Sequence, residues 1–483
     1  MDSDKVTFRG ATVQVLAAFL ICFVECLTGM LFYWPFYNIP NFVSKETVLS
    51  KPMTSVDVSL LGGLTNIGAL LLAPACGLAI NKFGRKNTSM LIALPFIIAW
   101  TILSITNSVP WVIIAMAIAG CGTAGQAACR IYIAEFAQDS IRGAVISSAV
   151  SVYYLGVLIS YTLEGFLSYS QMIHVELIIT LLYAVAVCFL KESPVYLLQN
   201  GMVKEAAESI AFYKQTTPSS KQVEVEIAKI RLQLRHRPNI LIEENEESTE
   251  TLELLPTSDV NVFSEFKFLK KSQSTRRALI TCLAALGTMT FMGNIQLQIY
   301  AETLFAVTVP SLDSSKCTVW LAVVFFVACL LSSFITEWLG RKLQMTLTCI
   351  GSSVCTLVLA IQTQYEWAPD WFTALMIYFY NFIFNLGVSV VPYILIGELF
   401  LPQVRGLCSS LILTAGWLMN FIALCIFIPF VEEYGFTPLF YGFTAVGLLG
   451  AIYSFFYQPE TRGLSVAAIQ NLFLKNPRQS VIV

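Results

Sequence analysis

Val391-Pro-Tyr-Ile-Leu-Ile-Gly-Glu-Leu-Phe-Leu-Pro-Gln-Val-Arg-Gly406 begins as an apolar helix and ends in a charged turn. Glu398 and Arg405 stand seven residues apart in it, with Gly406 directly after. The first half of the chain carries the same device: Tyr132-Ile133-Ala134-Glu135, then Arg142-Gly143, again seven apart. A second charged turn is also doubled, as Asn81-Lys82-Phe83-Gly84-Arg85-Lys86 and Glu337-Trp338-Leu339-Gly340-Arg341-Lys342. The offsets agree: 340 − 84 is 256, and 398 − 135 and 405 − 142 are both 263. One half of the chain is a weak copy of the other. Such a repeat in an apolar chain implies the two-halved architecture of membrane transporters, with the solute site where the halves meet.

Composition supports the membrane. The 483 residues are 56% hydrophobic and 12% charged, with a mean hydropathy of +0.70. A soluble protein carries about twice that charged fraction. The net charge of −2 gives no reason to expect nucleic acid as a partner. In lipid every backbone group must bond internally, so apolar runs become helices or closed barrels. Runs of about 20 residues fit helices, whereas barrel strands need only about ten alternating residues. The helical reading wins. The 13 cysteines sit mostly inside apolar runs, for example Cys22, Cys26, Cys121, Cys188 and Cys329, with Cys317 near the outer surface. They read as small packing residues rather than a disulfide framework. With only His174 and His236 present, no metal site and no cofactor are expected.

In order, a short polar tail precedes apolar spans at residues 13–37, 58–80, 89–105, 111–134, 144–166 and 172–190. Six more follow at 278–300, 319–336, 345–362, 371–396, 407–430 and 437–457. The expected fold is therefore an all-α membrane protein of twelve transmembrane helices in two pseudo-symmetric six-helix bundles. The expected units are a first bundle at 1–190, a loop at 191–275, a second bundle at 276–457 and a tail at 458–483. Within the loop, 200–234 reads as amphipathic helix, with Ala206, Ala207, Ile210 and Tyr213 to one side. Residues 238–262 are acidic and Ser/Thr-rich, a connector rather than a fold. With the N-terminus inside, the outer loops hold only Lys45, Lys51 and Lys316, and Arg130 lies within a helix. The other 25 of 29 basic residues are then cytosolic, as are both termini and the loop.

The motifs resemble those of the sugar-porter family of the major facilitator superfamily, across essentially the whole chain, and most of all its insect facilitated trehalose transporter-like branch. The two Gly-Arg-Lys turns, the two Glu-to-Arg-Gly blocks, Glu192-Ser193-Pro194 and Pro459-Glu460-Thr461-Arg462-Gly463 carry the resemblance, and Trp417 with Asn420-Phe421 adds to it. It implies the major facilitator fold with a cytosolic helical insert, and alternating access to one central sugar site. The partners implied are a small-molecule solute and the lipid bilayer, in the plasma membrane. Nothing in the motifs suggests an enzyme.

The charged turns have a reading of their own. Arg85, Arg142 and Glu135 can clamp the first bundle, and Arg341, Arg405 and Glu398 the second. A pair worth about 1–3 kcal/mol biases two states without freezing either. Such pairs form a cytosolic gate, closing the inner face in one state and parting in the other. Topology anchoring, which any Arg-Lys turn supplies, is the bland alternative. The gate is favoured for Glu135, Arg142, Glu398 and Arg405, and anchoring for Lys82 and Lys86. Asn81 replaces the family's Asp, which weakens the first clamp.

Sugar recognition needs uncharged donors and acceptors with aromatic faces. Several positions that the family uses for this are changed: Val150, Met289-Thr290 and Ile295 stand where it has amides, Gly416 where it has Asn, and Tyr393 where it has Trp. Trp417 and Asn420 remain. The candidate solute contacts are Trp417, Asn420, Tyr393, Thr290, Gln296, Asn294 and Thr28. Gln296 and Gln298 are two apart on a helix and face different ways, so one of them at most lines the cavity. For each amide alone, helix–helix glue is as good a reading as solute contact. Thr28 takes the position of the Asp found in proton-coupled members, which favours uncoupled, downhill transport. Glu25 in the first span could carry a proton or pair with a neighbour; a structural or gating role is favoured. Arg130, in place of a family Pro near the cytosolic end of its helix, could snorkel. The readings that follow are a sugar transporter, a transporter of another small polar solute, or a transporter-like sensor that moves nothing.

Overall fold

The structure, a computed structural model, describes residues 8–235, 268–401, 404–464 and 466–474. The acidic stretch 238–262 lies outside the described residues. In the first half the elements are α1 (Phe8–Tyr37), α2 (Ile39–Val43), α3 (Ser55–Phe83), α4 (Arg85–Ile105), α5 (Val109–Thr123), α6 (Gly125–Phe136), α7 (Asp139–Glu164) and α8 (Tyr169–Cys188). An insert follows with α9 (Pro194–Gln199), α10 (Val203–Lys214) and α11 (Lys221–Arg235). The second half holds α12 (Gln273–Phe291), α13 (Asn294–Ile299), α14 (Ala301–Thr308), α15 (Ser314–Leu339), α16 (Arg341–Tyr365), α17 (Asp370–Leu386), α18 (Val391–Glu398), α19 (Arg405–Tyr434), α20 (Phe436–Tyr457) and α21 (Val466–Leu474). Eleven helical segments among the described residues are long and apolar enough to cross a bilayer. The 26-residue α7, fifth of the expected spans in chain order, brings the number to twelve.

Local sequence explains where these helices begin. At the start of α3, Thr54 accepts from the Asp57 N–H while Asp57 accepts from the Thr54 N–H at 2.9 Å, a reciprocal cap. Ser168 and Gln171 repeat the arrangement at α8. Small residues set the packing: a side chain at Gly156 would meet the Cys26 carbonyl oxygen at 2.1 Å, so α1 and α7 touch backbone to backbone. Gly120 does the same for α5 against the Thr65 carbonyl of α3, at 2.0 Å. The two bundles meet where α3 runs along α19 and α7 along α15.

Three expected spans are broken. The one at 111–134 divides at Ala124 into α5 and α6, that at 278–300 divides at Gly293, and that at 371–396 divides across 387–390. Gly293 takes φ +87°, and an added Cβ there would lie 2.0 Å from the Phe443 ring. Irregular backbone at membrane depth is tolerated only where protein or a cavity receives it. Each break places a residue on the same central cavity: Gln126 after the first, Ile295 after the second, Ser389 within the third.

The stretch 200–234 of the insert is two helices rather than one. α10 ends where Gln215 adopts the left-handed conformation, φ 53°, and α10 and α11 share a small core of Ile210, Ala211, Val223 and Ile230. Tyr213 fixes this unit to the first bundle. Its ring stacks on Phe136 at 4.3 Å, its hydroxyl lies 3.1 Å from that of Tyr132, and Gln14 Nε2 donates to its carbonyl at 3.2 Å.

Candidate functional site

A cavity of about 110 Å³ lies between the bundles. Its first-bundle wall includes Glu25, Phe32, Tyr33, Arg130, Tyr153 and Tyr154; its second-bundle wall includes Met289, Gln298, Tyr393, Trp417 and Asn420. The aromatic faces are placed by ordinary helix periodicity. Trp417 of α19 stacks on Phe32 of α1, with ring centroids 6.2 Å apart and planes within 4°, so one ring from each bundle forms a shared apolar face. The volume is below the roughly 300–1,000 Å³ of a ligand pocket, so loading a sugar-sized solute requires the bundles to part.

Of the expected solute contacts, Trp417, Asn420 and Tyr393 line this cavity. Thr290 stands behind Asn420, donating to its Oδ1 at 3.0 Å. Gln296 is buried behind the wall and donates to the Thr290 carbonyl at 3.3 Å; Gln298 holds the wall position instead. Thr28 is fully buried and bonds back to the Val24 carbonyl at 2.8 Å, a helix-internal contact. The side chain of Asn294 lies outside the described residues. Val150, Met289 and Ile295, the apolar replacements, are all on the wall.

Sequence reasoning missed the most polar feature. Arg130 does not snorkel. Its Nη2 donates to Glu25 Oε1 at 3.3 Å, and its guanidinium lies 5.7 Å from the Tyr393 ring centroid in the other bundle. The signal was present, because 393 − 130 is 263, the offset of the charged turns. Arg130 and Tyr393 stand at equivalent positions of the two halves by that offset and meet at the central cavity.

On the side of the cavity away from the insert, the bundles are joined. Tyr33 donates to Gln298 Oε1, Tyr161 to the Gln298 carbonyl at 2.9 Å, and Tyr154 to Asn385 Oδ1 at 2.8 Å. Ser55 donates to Glu432 at 2.7 Å near the surface. At the insert end the two halves repeat one network. Arg85 Nη2 bonds Glu135 at 2.6 Å, and Arg341 Nη2 bonds Glu398 at 2.7 Å. Glu192 accepts from the Arg85 and Lys86 N–H groups, and Glu460 from those of Arg341 and Lys342. Ser193 donates to Glu135 as Thr461 donates to Glu398. Each ion pair lies inside one bundle, so neither spans the gap directly. The side chains of Arg142 and Arg405 lie outside the described residues.

The model of the sugar (and other) transporter family matches residues 11–473. The facilitated trehalose transporter Tret1 of Polypedilum vanderplanki is 24% identical over 96% of this chain and 89% of its own. That of Bombyx mori is also 24% identical, over 97% and 90%. Among solved structures, the inward-open xylose transporter XylE from E. coli is similar with a TM-score of 0.73 and 19% identity, covering 95% of this chain and 98% of its own. The proton:xylose symporter XylE bound to 6-bromo-6-deoxy-D-glucose gives a TM-score of 0.72 at 18% identity, covering 98% and 100%. At these identities the solved structures speak for the fold.

Proposed function

This chain belongs to the sugar transporter family, and on that premise we propose that it carries trehalose or a hexose-like sugar downhill across the plasma membrane by alternating access. The observation that carries the reading is the central cavity, walled by the Trp417–Phe32 stack, Tyr393 and Asn420 and shared by both bundles. Rings suit the apolar faces of a sugar, and amides and hydroxyls suit its oxygens. Both termini and the insert face the cytosol, where the basic turns belong. The seal of Tyr33, Tyr161 and Gln298 is then external, and the cavity exchanges with the outside when that seal parts.

The Glu135 and Glu398 networks act as rigid brackets. Each ties a Gly-Arg-Lys turn to the end of its own bundle, so that a bundle moves as one body. Neither pair spans the gap, so they serve the cycle by stiffening the bundles that move. Glu25 faces Arg130 across 3.3 Å, which supports a structural use of the acid rather than proton carriage and so favours uncoupled transport.

The purified protein in liposomes should take up labelled trehalose or glucose saturably and at the same rate with or without an inward proton gradient. Acceleration by the gradient would sink the uncoupled reading. No uptake of any sugar, with uptake of another polar solute, would sink the sugar assignment.

A further inference from the structure

We infer that Arg130, presented by Glu25 and backed by Tyr393, is the group that fixes a pair of neighbouring hydroxyls on the solute; this inference rests on the sugar reading above. Most polar side chains on the wall are committed to the protein. Asn420 accepts from Thr290, Gln298 is engaged by Tyr33 and Tyr154, and Asn66 donates to the Gly62 carbonyl. Val150, Met289 and Ile295 contribute nothing polar. Arg130 is different. Its side chain is 31% exposed within a cavity wall. Of its five N–H donors only one on Nη2 makes a hydrogen bond to the described residues, and Nε is covered without a partner.

The arrangement suits an uncharged polyol. A guanidinium presents donors in a rigid planar fork, which two adjacent oxygens can meet together. A hydroxyl both accepts and donates, so an O–H that accepts from Arg130 can donate to the neighbouring Glu25 carboxylate, which also lines the cavity. Glu25 leaves the pair without net charge, so an anionic solute would sit beside a carboxylate it repels. Tyr393 stacks under the guanidinium from the other bundle, so the residue that holds the hydroxyls also touches both moving bodies.

The test compares sugar binding by the native protein and by Arg130→Lys, followed by quenching of tryptophan fluorescence. Lysine keeps the charge that Glu25 needs and removes the fork. The half-saturation concentration for D-glucose and trehalose should rise roughly tenfold or more, the loss of one or two charge-assisted hydrogen bonds. The penalty that native protein imposes on deoxy-glucose isomers lacking one ring hydroxyl should shrink in the variant for at least one isomer. Half-saturation within twofold of native for both sugars overturns the inference and leaves the sugar reading intact. Native protein that binds no sugar overturns both. Should Arg130→Lys unfold, the uncharged pair Glu25→Gln with Arg130→Met removes both the fork and the buried charge, and it must show the same loss. A tenfold preference of native protein for D-glucuronate over D-glucose also overturns the assignment, since it would mean a site for carboxylates.

Discussion

Trp417 is held by packing on one face and open to the cavity on the other. Its stack on Phe32 supplies order, and its partial exposure leaves room for a solute ring. An aromatic face contributes about 0.5–1.5 kcal/mol beyond area burial. Trp417→Ala should therefore weaken sugar binding by about three- to tenfold while the thermal midpoint changes little. Unaltered half-saturation in uptake would remove Trp417 from the solute wall. The same scale shows what could be read in advance. Trp417, Asn420 and Tyr393 were legible because they stand at fixed distances from charged turns that resist drift. Val150, Met289 and Ile295 were legible as losses for the same reason. The choice of Gln296 over Gln298 was not, because both are apt amides and the break at Gly293 sets which of them faces inward. The partner of Glu25 escaped because Arg130 stands 105 residues away in sequence and departs from the family's Pro, so no motif points to the pairing.

At the scale of elements, twelve apolar runs could be counted from hydropathy alone, and the offsets of 256 and 263 gave their twofold arrangement. The breaks within three of them could not. A span that bends at the cavity keeps the same mean hydropathy as a straight one, and only backbone conformation reveals it. Gly293 is the sharpest case: φ +87° is strained by about 1–2 kcal/mol for an L-residue, and the Phe443 ring fills the space where a side chain would go. Gly293→Ala should lower the apparent melting temperature clearly and reduce sugar uptake, because α13 carries Ile295, Gln298 and Ile299 into the wall. Gly77→Ala is the control, since nothing lies within 4 Å of its added methyl and its backbone is ordinary helix. Equal melting temperatures for the two variants would show that the break at Gly293 is not a fixed feature.

At the scale of the whole molecule, the question is which contacts hold the bundles in this arrangement. The brackets at Glu135 and Glu398 stiffen each bundle but do not cross between them, whereas Tyr161 on α7 donates to the Gln298 carbonyl on α13 at 2.9 Å and does cross. Tyr161 is almost wholly buried, and its ring packs edge-on against Tyr33 at 5.3 Å, so Tyr161→Phe removes the hydroxyl and keeps the packing. The lost bond contributes about 1 kcal/mol to the sealed state, a shift of roughly fivefold toward the state open on that side. Spin labels at Lys51 and Glu433, exposed residues of opposite bundles on the sealed face, report the gap directly. Their distance distribution in Tyr161→Phe should gain a longer component at the expense of the short one, and saturating sugar should redistribute the two in proportion to its preference for each. A distribution identical to that of the native protein would mean that the Tyr161 hydroxyl does not hold the seal, which ring packing and the bonds of Tyr33 and Tyr154 then carry. The Tyr161 hydroxyl would then serve local packing rather than the cycle.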